Sequence, residues 1–251
     1  MTDVPRPSLM YRMEDGLRLG TLLWRFGPGW RMISSAMLGG GIGHREWVLN
    51  AQVAAGYARM DPAEHMDALG PGGAGVGMMT AALVERYAEA ADGGAEAVAT
   101  VGLGVPTWAA APEGVPDPGL PAAPGHAREA VGAGDAMVCD GVVCDAGVCD
   151  AGARAPRPGT INILVAVPVA FSDPALVNAV MTVTEAKTQA LLEAGFPCTG
   201  TASDAVCVAV REEGPAEAFG GPRSVWGARI ARAVHRAVLD GARDWRAWRA
   251  G

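Results

Sequence analysis

The sequence predicts an α/β fold: a single domain with a mixed or mostly parallel buried sheet flanked by helices. Residues 163–171 read ILVAVPVAF, an unbroken apolar run typical of a central strand covered on both faces. A helix is expected to follow over 174–194, and a second buried strand over 205–210. Because a strand, a helix and a strand in this order normally pair in parallel through a right-handed crossover, these three elements define the predicted core.

The first elements of the chain are predicted to be strands. Apolar runs at 17–26 and 30–35 indicate two strands, and the glycines and proline at 27–29 indicate a hairpin or a tight connection between them.

A glycine-rich turn at 39–43 is expected to lead into a helix over 45–59. A second helix is expected over 78–91, followed by a strand near 95–102. Backbone amides at the start of the first helix are a candidate anion or oxyanion site, and a simple tight turn is the alternative.

Nucleotide cofactors are not predicted. Residues 70–75 match GxGxxG, but the preceding PAEHMDAL does not resemble a strand, and the motif binds dinucleotides only between a strand and a helix. No glycine precedes the single lysine in a Walker A arrangement either. We therefore expect no cofactor.

The overall charge limits the classes of partner. The net charge is -7 and the isoelectric point is near 5.1, which argues against a nucleic-acid partner because phosphate binding needs a basic surface. No apolar run approaches the roughly 20 residues that span a bilayer, so no membrane association and a cytoplasmic location are expected. A small-molecule partner is favoured, and both a monomer and a homo-oligomer are left open.

Residues from about 106 to 158 are predicted to form an insertion in this single domain. They begin with closely spaced prolines and continue with the pentapeptide repeat MVCDG-VVCDA-GVCDA. Cys139, Cys144 and Cys149 are candidate ligands for a soft metal, but a spacing of five residues aligns them on one face of neither a helix nor a strand. We therefore expect no enzyme metal site.

One residue of the helix at 174–194 is out of place. At about 100° per residue, Leu176, Val183 and Leu191 fall on an apolar stripe with Lys187 in its middle, whereas Glu185 lies on the polar side. Lys187 is also the only lysine, against 19 arginines. Because the amine pKa falls on burial far more readily than that of guanidinium, a titrating amine is the functional interpretation. A structural ion pair or an edge lysine is the alternative.

The last helix is expected over 224–248. Six motifs stand out along the chain: SSAMLGGG at 34–41 with Asn50 downstream, GMMTAA at 77–82, GTIN at 159–162, TEAK at 184–187, TGTASDA at 199–205 and GGPRSVWGARIARAV at 220–234. Their order and content resemble the adenosylcobinamide amidohydrolase family of corrinoid salvage. Ser203 stands where the family usually has threonine, which keeps a hydroxyl group.

The resemblance implies hydrolysis of the amide between the corrin ring and the aminopropanol arm of adenosylcobinamide, which gives adenosylcobyric acid. The substrate would be a small-molecule corrinoid, and cobalt would belong to that substrate. A corrinoid-binding protein without turnover is the alternative function.

Amide hydrolysis needs an attacking group, an oxyanion donor and a proton for the leaving amine. Lys187 is the candidate general base or acid, with Asp204 orienting it and Glu185 assisting at the helix surface. Thr160 and Ser35 are the candidate nucleophiles; activated water, or cleavage before Thr160 to expose an N-terminal nucleophile, are alternatives. Candidate substrate contacts are Gly39, Gly40, Asn50, Thr80, Asn162, Asn178, Thr184, Thr201 and Ser203.

Overall fold

The structure, a computed structural model, describes residues 4–113 and 159–250 in full and the backbone of 136–139 and 142–145. The chain divides into two compact units, residues 1–120 with 157–251, and residues 121–156. The second unit contains an antiparallel strand pair, Ala136–Cys139 and Val142–Asp145. The side chains of the cysteine repeat, and most of the predicted insertion, lie outside the described residues.

The first unit contains two mixed sheets. Its strands are β1 Ser8–Glu14, β2 Leu17–Arg25, β3 Trp30–Ser34, β4 Gly41–His44, β5 Trp47–Gln52, β6 Gly75–Thr80, β7 Ala88–Asp92, β8 Ala95–Val101, β11 Ile161–Val167 and β12 Ala205–Arg211, and the two strands of the second unit are β9 and β10. The four-stranded sheet has the order β1-β2-β5-β6, and the six-stranded sheet has the order β4-β3-β12-β11-β8-β7. The helices are α1 Pro62–Leu69, α2 Asp173–Glu193 and α3 Val225–Ala250.

These elements stack in four layers. Helices α2 and α3 pack on one face of the six-stranded sheet, and the four-stranded sheet packs on its other face. Helix α1 contributes Met66 to a third apolar cluster on the far face of the four-stranded sheet. The predicted α/β class is confirmed, and of the two predicted sheet types the mixed one is present.

Strand β11 shows why its apolar run is unbroken. Ile161, Ile163 and Val165 face the helices, whereas Leu164 and Ala166 face the four-stranded sheet. Since both faces are covered, every position is buried and none needs to be polar for solvent. Its predicted parallel pairing with β12 is confirmed, with Ile163 opposite Val206.

The predicted helix at 174–194 is confirmed as α2. Ser172 is the N-cap, with its hydroxyl accepting from the Ala175 amide, and Gly195 ends the helix at a φ of 78°. Lys187 is buried, as its place on the apolar stripe predicts. Thr182 is also buried, and its hydroxyl donates to the carbonyl of Gly220 at 2.9 Å.

The two helices expected at 45–59 and 78–91 are wrong. The first range contains β5, and the second contains the end of β6 and the edge strand β7. All six residues of β5 are buried, so its pattern lacks the alternation that identifies a half-covered strand. Packing between sheets overrides the helix propensity of the Ala, Met and Glu residues in these ranges.

The connection at 27–29 is not a hairpin. It joins β2 in the four-stranded sheet to β3 in the six-stranded sheet, and the two strands are not paired with each other. Gly27 and Gly29 have φ values of 69° and 82°, a conformation that favours glycine, so the turn passes the chain from one layer to the next.

Candidate active site

A cleft of about 430 Å³ lies between the two sheets in the first unit. One wall comes from the six-stranded sheet and includes Ser35, Thr160, Ser203 and Asp204. The other wall comes from the four-stranded sheet and the segment after β5, and it includes Val53, Tyr57, Met78, Met79 and Thr80. Hydroxyl groups on otherwise apolar walls suit a ligand that carries amide groups, because a hydroxyl can both donate and accept a hydrogen bond.

Asp204 joins several elements beneath this cleft. Its Oδ1 accepts from the Ile161 amide at 2.9 Å and from Thr201 Oγ1 at 2.5 Å. Its Oδ2 accepts from the Thr201 amide at 3.1 Å and from Lys187 Nζ at 2.5 Å. One carboxylate therefore ties the start of β11, the turn before β12 and the C-terminal half of α2 together.

The expected proximity of Lys187 and Asp204 is confirmed. Strands β11 and β12 are parallel, so α2 must return the chain from the end of β11 to the start of β12. Its C-terminal half thus lies near the amino ends of both strands. The pair is nearly closed to solvent, with side-chain exposures of 10% for Lys187 and 11% for Asp204. Asp204 lines the cleft, whereas Lys187 is not among the lining residues.

The cleft also brings two predicted hydroxyl groups together. Thr160 Oγ1 and Ser203 Oγ are 2.8 Å apart, and Thr160 is 6% exposed, whereas Ser203 is open to solvent. Ser35 lines the same wall, where its hydroxyl accepts from the Val206 amide at 3.0 Å. Thr80 lines the opposite wall, with its Oγ1 accepting from the Ala82 amide.

Asn50 and Asn162 form a buried polar junction between the two sheets. Asn162 Nδ2 donates to Asn50 Oδ1 at 2.8 Å and to the carbonyl of Met79 at 2.9 Å. Asn50 Nδ2 donates to Thr100 Oγ1 at 2.9 Å. Asn162 Oδ1 is buried without a partner among the described residues. These contacts fix β11 against the end of β6 that lines the cleft. The two asparagines therefore support the walls of the cleft.

Several predicted site residues are not brought to this cleft. Glu185 lies on the outer face of α2, beside a groove lined with residues of α3, and Thr184 donates its hydroxyl to the carbonyl of Val180. Asn178 is nearer the start of α2, next to Gly221. Gly39 and Gly40 pack against neighbouring backbone instead of lining the cleft. Their predicted roles gain no support from this geometry.

Two further polar residues, one lining this cleft and one in contact with it, are not predicted by the sequence. Tyr57 lines it, and His65 of α1 lies behind Tyr57 with its Nδ1 3.0 Å from the tyrosine hydroxyl. Tyr57 falls in the range 45–59, for which the sequence predicts a helix that is absent, and His65 lies on α1, which the sequence does not predict. His65 also belongs to no multi-histidine motif. Their eight-residue separation carries no recognisable signal.

No group of three or more His, Cys, Asp or Glu side chains suitable for a metal ion occurs in the described part of the chain. Among those residues, no helix has the length and apolar character needed to cross a membrane.

Comparisons with known proteins agree on one family. The family model described as adenosylcobinamide amidohydrolase matches residues 7–250. A protein of that name from Methanosarcina mazei is 37% identical over 92 residues, which cover 33% of this chain and 46% of the relative. Another from Halobacterium salinarum is 44% identical over 86 residues, covering 34% of this chain and 36% of the relative. The matched segments thus span less than half of each curated relative.

Proposed function

The chain belongs to the adenosylcobinamide amidohydrolase family, and from this we propose that it hydrolyses the amide between the corrin ring and the aminopropanol arm of adenosylcobinamide. The products would be adenosylcobyric acid and aminopropanol. The observation that carries this proposal is the family match over residues 7–250, and the hydroxyl-lined cleft, which contains Ser35, Thr80, Thr160 and Ser203, supports it.

The cleft suits the side arm of a large substrate better than the whole corrin ring. Its volume of about 430 Å³ lies at the lower end of the range for sites that enclose a drug-sized ligand. We therefore assign the cleft to the propionyl amide and the aminopropanol arm, with the ring at its mouth. Met37 lines the cleft and is 61% exposed, so it offers apolar surface at that mouth.

We assign the attack on the amide carbonyl to the side of the cleft that holds Thr160 and Ser203. Their hydrogen-bonded hydroxyls either supply the nucleophile, Thr160, or position an attacking water. Lys187 does not line the cleft, so we assign it a positioning role: it holds Asp204, and Asp204 holds the turn that presents Ser203.

We propose that the substrate's cobalt is the only metal in the reaction. Proton transfer, and the supply or positioning of the attacking group, are assigned to side chains of this chain, so activity is expected to survive prolonged dialysis against EDTA. Loss of activity on dialysis, with recovery on adding back one metal ion, would contradict this assignment.

The direct test is incubation of the purified protein with adenosylcobinamide and detection of both products by mass spectrometry. Formation of aminopropanol and adenosylcobyric acid in equal amounts is the expected result. Binding of adenosylcobinamide without product would instead support the non-catalytic corrinoid-binding alternative. Thr160→Val keeps the shape of the side chain and removes its hydroxyl, so it is the matched variant and is expected to form less product than the wild type.

A further inference from the structure

Tyr57 is one of the residues that line the cleft on the wall opposite Thr160 and Ser203. Its hydroxyl lies 3.0 Å from His65 Nδ1. The two rings also stack, with centroids 5.7 Å apart and an interplanar angle of 10°. The tyrosine is therefore held at the cleft by a hydrogen bond and a ring contact with the same residue.

His65 is the middle member of a longer chain of contacts. It is 6% exposed, and its Nε2 is 3.3 Å from Oε1 of Glu14 on β1. Arg12 Nε donates to Oε2 of the same carboxylate at 2.8 Å. Arg12 is itself held by the carbonyl of Gln52 at 2.8 Å and by Thr21 Oγ1 at 3.1 Å. The chain therefore runs from the cleft to a fixed ion pair on β1.

The chemistry of the partners assigns the direction of these hydrogen bonds. An ionised carboxylate only accepts, so His65 Nε2 carries the hydrogen that faces Glu14. In the neutral imidazole Nδ1 is then an acceptor, and the Tyr57 hydroxyl donates to it. This is the arrangement in which a histidine can take a proton from one side while a carboxylate stabilises the resulting charge from the other.

We propose that Tyr57, His65 and Glu14 form a proton relay that serves the amide hydrolysis proposed above, on which this inference rests. As Thr160 or water attacks the carbonyl carbon, the attacking hydroxyl passes its proton to the Tyr57 oxygen, and Tyr57 passes its own proton to His65 Nδ1. When the carbon–nitrogen bond breaks, His65 returns a proton through Tyr57 to the leaving nitrogen. One proton thus moves from the attacking group to aminopropanol. If Thr160 is the attacking group, a water then cleaves the ester it has formed: the water's hydroxyl goes to the carbonyl carbon to give the acid, and its remaining proton returns to Thr160 Oγ1.

Tyr57 is the catalytic residue in this relay, and His65 and Glu14 are positioning residues. Burial raises the pKa of Tyr57, so the hydroxyl stays protonated at neutral pH until His65 accepts its proton. The other charged groups near Tyr57 are Arg59 and Asp61, which pair with each other at 2.6 Å. The Tyr57 hydroxyl is hydrogen-bonded to His65 instead.

The test compares Tyr57→Phe with Tyr11→Phe, a matched control at an exposed position on β1. Tyr57→Phe keeps the ring against His65 and removes only the hydroxyl. Its kcat on adenosylcobinamide is expected to fall by about 100-fold or more, the usual contribution of general acid–base catalysis, while Tyr11→Phe keeps the wild-type rate. An unchanged kcat in Tyr57→Phe would overturn the relay.

A second substrate separates proton transfer from a change in cleft shape. The same corrin propionyl group esterified to 4-nitrophenol has a leaving group that departs without a proton. Tyr57→Phe is therefore expected to lose much less activity on this ester than on the amide. Equal losses on both substrates would mean that the variant distorts the cleft, and they would overturn the proposed proton delivery.

Glu14→Gln tests the positioning role of the carboxylate. It removes the charge that stabilises protonated His65, so it is expected to repeat the amide-selective loss to a smaller extent. Equal losses on amide and ester would contradict this role. If the wild-type protein hydrolyses neither substrate, the proposed function fails; if it hydrolyses the amide and Tyr57→Phe does so equally well, only the relay fails.

Discussion

At the scale of single residues, Asp204 is the residue through which the cleft is organised. Its two oxygens accept four hydrogen bonds, from Ile161, Lys187 and two groups of Thr201. Removal of any one donor to a nearly buried carboxylate lowers the stability of the protein, because part of the negative charge is then left uncompensated. Lys187 supplies the only full positive charge among these donors.

Lys187→Met is expected to destabilise the protein and impair catalysis together. Removing one partner of a buried ion pair lowers the free energy of unfolding by roughly 3–5 kcal/mol. Because three donors to Asp204 remain, we expect a loss near the lower end of this range. Urea unfolding measures the stability change, and product formation measures activity. Glu185→Gln, on the exposed face of the same helix, is the control and should match the wild type. Wild-type stability and turnover in Lys187→Met would refute the positioning role.

Thr160→Val and Ser203→Ala separate the two modes of attack. If Thr160 is the nucleophile, Thr160→Val abolishes turnover and the wild type shows a transient mass increase equal to the corrinoid acyl group. With an attacking water, no such adduct forms and both variants lose activity to a similar, partial extent. Ser203→Thr keeps the hydroxyl and is expected to remain active. Full activity in Thr160→Val would show that the hydroxyls on this wall of the cleft take no part in the attack.

At the scale of elements, the turn at 199–204 and helix α2 form one functional unit. The turn is also held from the other side, since the Thr107 amide donates to the Gly200 carbonyl at 2.8 Å and the Thr199 amide donates to the Thr107 carbonyl at 3.0 Å. Gly200 itself lies directly against the Lys187–Asp204 pair. The absence of a side chain there is what allows the ion pair to close.

Gly200→Ala is expected to break that arrangement. A methyl group at this position would overlap Asp204 Oδ2 and lie 2.5 Å from Lys187 Nζ, so the ion pair must open or the turn must shift. Activity should fall at least tenfold, because a loss of about 1.4 kcal/mol in transition-state stabilisation already lowers the rate tenfold. Ala202→Ser, at an exposed position of the same turn, is the control. Normal activity in Gly200→Ala would show that the pair does not shape the cleft.

At the scale of the whole molecule, the cleft exists because two sheets pack face to face. Each sheet contributes one wall, and the Asn50–Asn162 hydrogen bond joins the sheets beneath it. Every residue assigned to attack, positioning or proton relay belongs to the unit formed by residues 1–120 and 157–251.

Replacing residues 121–156 with a short Gly/Ser linker is therefore expected to preserve folding and amide hydrolysis. The deletion removes the second compact unit and leaves all of the cleft-lining residues in place. Thermal unfolding and turnover of adenosylcobinamide test this expectation. Loss of turnover in a variant that still unfolds cooperatively would show that the second unit contributes to substrate binding.

The C-terminal half of the fold could be predicted because its signals are local. Helix α2 has a cap, a proline at its start and a glycine after its end, and the two strands beside it are continuous apolar runs. In the N-terminal half, the strands predicted at 17–26, 30–35 and 95–102 are confirmed as β2, β3 and β8, whereas the segments of β5, β6 and β7 could not be predicted in the same way. Strands β5 and β6 are short and fully or largely buried, so they lack the period of two that distinguishes a strand from a helix.

The sequence by itself determined the family, the α/β class and the place of Lys187 on the apolar stripe of its helix, since each rests on motif order or on periodicity along the chain. Only the tertiary structure decided that Lys187 is buried behind Asp204 and that Thr160 meets Ser203. The structure alone also showed that Tyr57, His65 and Glu14 form a chain at the same cleft. The physical reason is that these contacts join residues from different strands, helices and turns, and the packing of two sheets sets their separation.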